Sequence, residues 1–335
     1  MRFVAIFVSP AEYRAALRKI KLTQRYDKKE DSMRVFVTGA TGFIGQAVVK
    51  ELISAGHEVL GLARNNAGLE TLARLGVQAH RGELVDTESL AAGARACDGV
   101  IHLAYIRDFS QYVVNAETDR MALDAMARAM DGTGKPLVST SGTVVLVPGR
   151  IGTENDRPYL EGLGRIRPKS EEVLAYASHG VRVSTVRLPP VVHGQIDRGF
   201  VPMFIDVARR TGFAAYVGHG DNCLPAVHQL DAARLFRLAV EKATPGSRLH
   251  GVAEEGIPMR NIAETIGAGL DVPVRSLKAD EAAGHFGWMA GIVSIDNKTS
   301  SSITRETLGW QPQEAGLLTD MRENGYFHVT KLREL

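Results

Sequence analysis

The sequence predicts an α/β fold: a doubly wound parallel sheet with a smaller C-terminal α+β region. Three observations carry this. Short β-branched apolar runs alternate with amphipathic helical patterns from residue 34 to residue 187. The first run passes through a glycine-rich turn straight into a helix, Arg34-Val-Phe-Val-Thr-Gly-Ala-Thr-Gly-Phe-Ile-Gly45. After Arg187 the alternation weakens, and Pro189-Pro190, Gly194 and Gly199 mark an irregular segment.

Taken in order, residues 1–32 read as an extension. Phe3-Val-Ala-Ile-Phe-Val8 is too short for a secretory signal, Pro10 closes it, and no small-residue cleavage site follows. Met33 stands directly before the first strand and reads as a plausible native start. Strand cores follow at Val35–Thr38, Glu58–Ala63, Val77–His80, Val100–Ala104, Pro136–Thr140 and Val181–Arg187. Helical patterns lie between them near 43–55, 67–75, 87–96, 115–130 and 169–178. Further helices are expected near 200–211, 229–241, 258–269 and 279–287, with short apolar strands between. The expected organisation is therefore an extension over 1–32, a nucleotide-binding domain over 33–188, and a smaller substrate-binding region over 189–335.

The glycines of the first turn fall at 39, 42 and 45. Such a turn brings backbone N–H groups close to a pyrophosphate, and the helix N-terminus behind it favours the negative charge. The expected fold is then of the Rossmann type and the expected ligand a dinucleotide. Gly39, Thr41, Gly42, Phe43, Ile44 and Gly45 are the expected cradle. In an open parallel sheet, ligands sit beyond the carboxyl ends of the strands. That rule adds Glu83 and Leu84 after the third strand, Leu103, Ala104 and Tyr105 after the fourth, and Pro189 and Val192 after the sixth.

Arg64 decides the expected cofactor. A carboxylate about 20 positions after the glycine turn would hold the ribose hydroxyls of NAD. Arg64 stands 19 positions after Gly45 instead, and a guanidinium pairs with a 2′-phosphate. NADP is expected, with NAD as the alternative.

Composition narrows the class. Hydrophobic residues make up 44% and charged residues 23%, as in globular proteins. No apolar run approaches the roughly 20 residues of a membrane helix. The net charge of +2 hides an asymmetry: residues 1–32 hold eight Lys/Arg and four Asp/Glu, and the remainder holds 32 basic against 34 acidic residues. The body has no basic face for nucleic acid. Cys97 and Cys223 lie far apart and show no metal spacing, which points to a reducing, cytoplasmic setting without disulfides. No H-E-x-x-H or comparable spacing occurs among the ten histidines, so no metal is expected. No G-x-S-x-G elbow surrounds Ser141, which sets a hydrolase aside.

Several segments together resemble a known group. Thr38-Gly-Ala-Thr-Gly-Phe-Ile-Gly45, Val100-Ile-His-Leu-Ala104, Val138-Ser-Thr-Ser-Gly142 and Arg187-Leu-Pro-Pro-Val-Val-His-Gly194 resemble the extended short-chain dehydrogenase/reductases. More narrowly, they resemble the NAD-dependent epimerase/dehydratase branch. Ala226-Val-His-Gln-Leu-Asp-Ala-Ala-Arg234 and Leu308-Gly-Trp-Gln-Pro312 extend the resemblance over about 34–315. It implies that Ser141, with Thr143 beside it, hydrogen-bonds the substrate oxygen. It also implies a Tyr and a Lys four residues apart on the next helix, and here the chain departs. None of its eight tyrosines has Lys four positions later. Gly164-Arg-Ile-Arg-Pro-Lys-Ser170 stands there instead, with Arg165 and Lys169 at the required spacing and Arg167 as a further candidate.

Arginine is a poor general base, yet it stabilises a developing alkoxide, and so does lysine. The expected catalytic set is Ser141, Arg165, Lys169 and Arg167, with the proton supplied by Tyr105, Tyr159, His193 or water. Tyr105, Phe109 and Trp288 are candidates for an apolar substrate wall or for core. His228 is expected to pack while Asp231 caps the helix that follows. The expected activity is NAD(P)-dependent reduction of a carbonyl, or oxidation of an alcohol, on a small organic substrate. Two other readings stay open: a sugar-nucleotide-type epimerase or dehydratase, and a non-catalytic NADP(H)-binding sensor. A helical-face homodimer is implied by the resemblance.

Overall fold

The computed structural model describes residues 32–106, 111–161 and 167–328. Strands are numbered in chain order. Seven of them, β1 (Arg34–Thr38), β2 (Glu58–Ala63), β3 (Gln78–Arg81), β4 (Gly99–His102), β5 (Pro136–Gly142), β6 (Arg182–Leu188) and β10 (Ser247–His250), form one sheet. Their order is β10-β6-β5-β4-β1-β2-β3, and every pairing is parallel. The chain therefore leaves β1 in one direction for β2 and β3, and in the other for β4, β5 and β6. The crevice between the carboxyl ends of β1 and β4 is the topological switch point, where ligands bind in such sheets.

The apolar runs are continuous because both sheet faces are covered. Val35, Phe36 and Val37 of β1 are fully buried. The first helix, Phe43–Ser54, turns Ala47, Val48, Val49 and Leu52 to the core. Asn65 and Asp86 start the helices Asn66–Arg74 and Thr87–Arg95 by accepting the N–H groups of Gly68 and Ser89. Such caps satisfy donors that the helix itself leaves open.

Three expectations shift. β3 runs one residue later than 77–80, and β4 stops at His102, so Leu103 and Ala104 lie just beyond its end. The Arg167–His179 segment, expected as an α-helix, winds as tight 3-10 turns. These rise about 2.0 Å per residue, and the segment is anchored by Val173 in the core and Glu171 on Arg187. After residue 188 the chain gives β10 back to the edge of the main sheet.

The remaining strands form two small sheets. β7 (Val191–His193) lies parallel to β9 (Cys223–His228), and β11 (Glu254–Pro258) lies antiparallel to it. β8 (Ala214–Val217) pairs in parallel with β12 (Val274–Leu277). Helices Phe200–Thr211, Gln229–Lys242 and Met259–Leu270 fall where the periodicity places them. The helix expected over 279–287 is only Ala282–Phe286. Lys278–Glu281 closes a turn before it, and Gly287, at φ 59°, ends it. Val191, Phe204, Leu224, Ile262, Leu317 and Met321 share one apolar cluster in this region. The described residues from Arg34 onward form a single compact unit. Among the described residues no helix is long and apolar enough to cross a membrane.

Candidate active site

The glycine turn closes on itself. Gly42 N–H donates to Gly39 O at 2.9 Å, and Gln46 Nε2 donates to Thr41 O at 3.0 Å. Gly39 sits at φ 69°, a left-handed conformation open to glycine. A Cβ there would stand 2.7 Å from Ala104 N, and a Cβ on Gly45 would stand 1.9 Å from Gly39 O. Both positions therefore exclude a side chain. Gly42 caps the helix that follows without any side-chain bond, which leaves its first N–H groups facing the crevice. These residues fit a pyrophosphate.

A buried polar chain holds the opposite wall. Thr38 Oγ1 accepts from the N–H groups of Leu103 at 3.2 Å and Ala104 at 3.3 Å. Its proton is therefore free to go to His102 Nδ1, 2.8 Å away. That makes His102 Nε2 the protonated nitrogen, and it donates to Asp119 Oδ1 at 3.1 Å. Thr140 Oγ1 also donates to His102 O at 2.7 Å. The Val100–Ala104 segment alone gives His102 no role. Its partners lie 64 and 17 positions away, so no local pattern shows them.

Arg64 stands exposed just past β2, with no hydrogen bond or ion pair among the described residues. Glu83 is likewise exposed, and Leu84 packs under the sheet. Leu103, Ala104 and Tyr105 follow β4 half-buried. Pro189 is buried, and Val192 lies half-buried in β7.

Ser141 lies near the end of β5, in register with Arg187 of β6. It is 1% exposed, and its Oγ has no hydrogen-bond partner among the described residues. Buried hydroxyls are normally paired, so an orphan at a strand end marks a place where a ligand oxygen fits. Thr143, by contrast, is fixed: its Oγ1 lies 2.7 Å from Asn297 Oδ1, and Asn297 Nδ2 donates to Thr143 O at 3.0 Å. The pair ties the turn after β5 to the segment leading out of the smaller region.

Arg165 lies outside the described residues, as does Phe109, and Arg167 opens the 3-10 segment. Lys169 points to helix Tyr112–Ala129, where its Nζ meets Glu117 Oε2 at 2.6 Å. Arg120 holds the other oxygen at 2.7 Å, and the two cations bring the Glu117 carboxyl down to about 2. Ser141 is not among the hydrogen-bond partners of Lys169. Two residues on, Glu171 takes a fully buried Arg187 in a two-pronged bond of 2.7 and 2.8 Å. Arg248 adds a third donor at 2.9 Å. His250 closes this cluster: Nδ1–H donates to Ser300 O at 2.7 Å, and Nε2 faces Arg187 Nη1 at 3.3 Å. Burial holds the His250 imidazole down at about 4, so it is neutral.

His193 sits in β7, buried, with Nδ1 2.7 Å from Asp320 Oδ2. The bond spans 127 positions, not a local loop. The expected roles of His228 and Asp231 are exchanged. His228 caps the helix, its Nδ1 accepting Leu230 N–H at 3.2 Å. Asp231 is buried and accepts the N–H groups of Gln313 at 2.8 Å and Glu314 at 3.1 Å. It docks the Leu308–Pro312 stretch, whose Trp310 donates to the Asp231 carbonyl at 3.0 Å. Tyr159 donates to Glu161 at 2.6 Å, and Trp288 is 54% exposed, so it is not core. A cleft of about 300 Å³ beside the smaller region is lined by Val217, His219, Asp221, Asn222 and Ser294, none of them an expected site residue.

Residues 35–250 match the model of a family described as the NAD dependent epimerase/dehydratase family. An uncharacterized protein of Schizosaccharomyces pombe is 47% identical over 88% of this chain and 100% of its own length. Another, from Saccharomyces cerevisiae, is 45% identical over 87% and 99%. A 4-hydroxy-2-methyl-3-oxo-4-farnesyl-3,4-dihydroquinoline-1-oxide ketoreductase of Stigmatella aurantiaca is 27% identical over 76% of this chain and 80% of its own. Among solved structures, a dTDP-glucose 4,6-dehydratase from Streptomyces venezuelae with NAD bound has a TM-score of 0.70, at 21% identity over 88% of this chain and 98% of that one. The last likeness shows the fold alone.

Proposed function

Because this chain belongs to the NAD dependent epimerase/dehydratase family, we propose that it is an NAD(P)-dependent oxidoreductase. It interconverts a carbonyl and an alcohol on a small organic substrate, and it prefers NADP. The observation that carries the reading is the Ser141 hydroxyl, buried at a strand end with no partner among the described residues. The ketoreductase relative supports the reaction class, and Arg64 supports NADP.

The bound dinucleotide would supply or accept hydride, held by Gly39 to Gly45 and by Leu103 and Ala104. Ser141 orients the substrate oxygen by hydrogen bonding. Thr143 and Asn297 keep the turn behind Ser141 in one place. Arg165 and Arg167 are the cations proposed to stabilise the oxyanion, and Lys169 contributes only when it leaves Glu117. Exposed Val113, Val114 and Met121 on helix Tyr112–Ala129 support docking of a second copy.

Fluorescence titration with NADPH, followed by a carbonyl panel, tests the reading. We expect NADPH binding, turnover of at least one ketone, and loss of turnover with unchanged cofactor affinity in Ser141→Ala. A protein that binds neither NADPH nor NADH refutes it. A cofactor-binding sensor is the second reading, favoured by the engagement of Lys169 with Glu117. It predicts binding without turnover.

A further inference from the structure

The C-terminal segment reaches back to the loop that leaves β7. Where that loop lies follows from two helices, Phe43–Ser54 and Gln229–Lys242, which pack side by side. Arg237 Nε meets Glu51 Oε1 at 2.7 Å, and Glu241 Oε1 meets His57 Nε2, just past the first helix, at 3.0 Å. The contacts advance together along both chains, so the helices run parallel. Phe43 precedes Glu51 by as many positions as Gln229 precedes Arg237. At about 1.5 Å per residue, both lie about 12 Å back along their helices. The start of the second helix is therefore level with the glycine turn. The loop Gly194–Gly199 is seated on that start: Gln229 Nε2 donates to Gln195 O at 3.1 Å, and a Cβ on Gly194 would stand 2.8 Å from Gln229 Cγ. Ile196 sits exposed at φ 63°, a conformation that β-branched residues avoid, so the loop needs a hold from outside. Tyr326 supplies it. Its Oη accepts Gly194 N–H at 3.0 Å and lies 2.9 Å from Asp197 Oδ2, while Asp197 Oδ1 accepts Gly199 N–H at 2.6 Å. Tyr326 is fixed in turn by its neighbour: Arg209 donates to Phe327 O at 3.1 Å, and a Cβ on Gly269 would stand 2.4 Å from the Phe327 ring.

We propose that Tyr326 is a positioning residue for the dinucleotide site: through Gly194 and Asp197 it holds the Gly194–Gly199 loop as an outer rim beside the glycine turn, and so slows cofactor release. This rests on the reading of the chain as a dinucleotide-dependent enzyme. One hydroxyl joins the two ends of the loop, because Gly194 opens it and Asp197 is tied to Gly199 at its close. Removing that oxygen leaves the Gly194 N–H and the Asp197 carboxyl each one partner short. A rim that opens more often lets the cofactor leave more often. The hold also depends on pH. Asp197 faces Tyr326 from the C-terminal segment, Asp320 from helix Leu317–Glu323 and His193 from β7. His228 stacks on His193 at 5.3 Å, and Arg198 follows Asp197 in the chain. Burial raises the Asp197 carboxyl to about 6 from 3.8, helped by the Asp320 charge and opposed by the bonds from Gly199 and Tyr326 and by the His193 charge. The seated loop thus favours the neutral carboxyl, and a loop opened to water favours the charged one. The hold is complete below 3.8, weakens as pH rises toward 6, and is constant above that.

The test is stopped-flow dissociation of NADPH and NADH from the full chain, for the native protein, Tyr326→Phe and Asp197→Asn, with urea unfolding of each. We expect Tyr326→Phe to release both cofactors about tenfold faster at pH 7, as for one lost hydrogen bond. Amide exchange should quicken from Gly194 to Gly199 and stay unchanged in β1. NADH, which carries no titrating 2′-phosphate, reads the pH profile. Its release from the native protein should quicken about tenfold between pH 5 and 7. Asp197→Asn, neutral throughout, should keep the slow rate across that range. A Tyr326 that only anchors the C-terminal segment would lower the urea midpoint and leave release from the folded protein unchanged. Native release rates in Tyr326→Phe, or a native pH profile in Asp197→Asn, overturn the inference while the proposed function stands. A native chain that binds neither cofactor refutes the proposed function, and the inference falls with it.

Discussion

Thr38 Oγ1 and His102 Nδ1 lie 2.8 Å apart at the floor of the crevice between β1 and β4, both buried. The threonine oxygen already accepts two N–H groups, so it must donate to the ring. The ring must then donate to Asp119. His102→Ala removes the acceptor for Thr38 and the donor for a buried carboxylate together. We expect a loss of about 3 kcal/mol in urea unfolding, as for hydrogen bonds to buried charged groups. NADPH affinity should fall as well, because Leu103 and Ala104 lose their fixed position. Asp119→Asn, which keeps an acceptor, should cost less.

Ser141→Ala is expected to separate function from stability. The hydroxyl is buried and unpaired among the described residues, so its removal relieves a desolvation cost of about 1 kcal/mol. Thermal unfolding should show a melting temperature equal to or above that of the native protein. A clear drop would mean that Ser141 has a structural partner.

The glycines of the turn should not be equivalent. A Cβ on Gly45 meets the Gly39 carbonyl at 1.9 Å, and neither backbone can yield. A Cβ on Gly42 meets the same oxygen at 3.1 Å, which a small shift relieves. Gly45→Ala should abolish NADPH binding and lower stability by more than about 2 kcal/mol. Gly42→Ala should keep the fold and lose affinity only in part. Titration and chemical denaturation of the two variants check the order.

Acid should weaken the protein through His250. Burial depresses its folded value to about 4 from the ordinary 6.5, so the unfolded chain binds the extra proton across this window. The stability contributed by the neutral ring is complete above 6.5 and is lost as pH falls toward 4, on the order of 3 kcal/mol. Asp197 works in the opposite sense. Burial raises its carboxyl to about 6 from 3.8, so its contribution is present at low pH and is lost as pH rises through that range. Urea midpoints between pH 4 and 7 should therefore fall more steeply with acid in Asp197→Asn than in the native protein. His250→Asn, which keeps a donor toward Ser300, leaves the Asp197 dependence alone, so its urea midpoints should rise as pH falls from 6 toward 4.

Glu171→Ala should be the most damaging of these changes to the fold. It strands a fully buried Arg187 and removes the partner of Arg248. Breaking a buried pair on one side costs about 3–5 kcal/mol. The Arg167–His179 segment should then show faster hydrogen exchange, since Glu171 is one of its anchors.

The parallel sheet was legible because its signals are local. Val35, Phe36 and Val37 form a run apolar on both faces, and Gly39, Gly42 and Gly45 are spaced for one kind of turn. Asn65 and Asp86 cap helices through residues three positions on. The three helices from Phe200 to Leu270 appeared for the same reason, through their period. Helices Ser302–Leu308 and Leu317–Glu323 were not foreseen, being seven residues each and too short for a period to show.

The candidate site was legible only in its placement along the sheet. The position of Ser141 follows from the sheet rule, and that of Arg64 from its distance to the glycine turn. The partners of His102, His193, Asp231 and Arg187 were not legible, because each contact joins residues 16 to 127 positions apart. The sequence by itself determined the family, the sheet and the glycine turn, since backbone periodicity and glycine sterics act over a few residues. Only the tertiary structure decided that the Ser141 hydroxyl has no partner among the described residues, that Lys169 is held by Glu117, and that Asp231 docks the Leu308–Pro312 stretch. Those outcomes depend on which strands and helices meet, and strand register and side-chain packing are set by the whole core rather than by any local stretch.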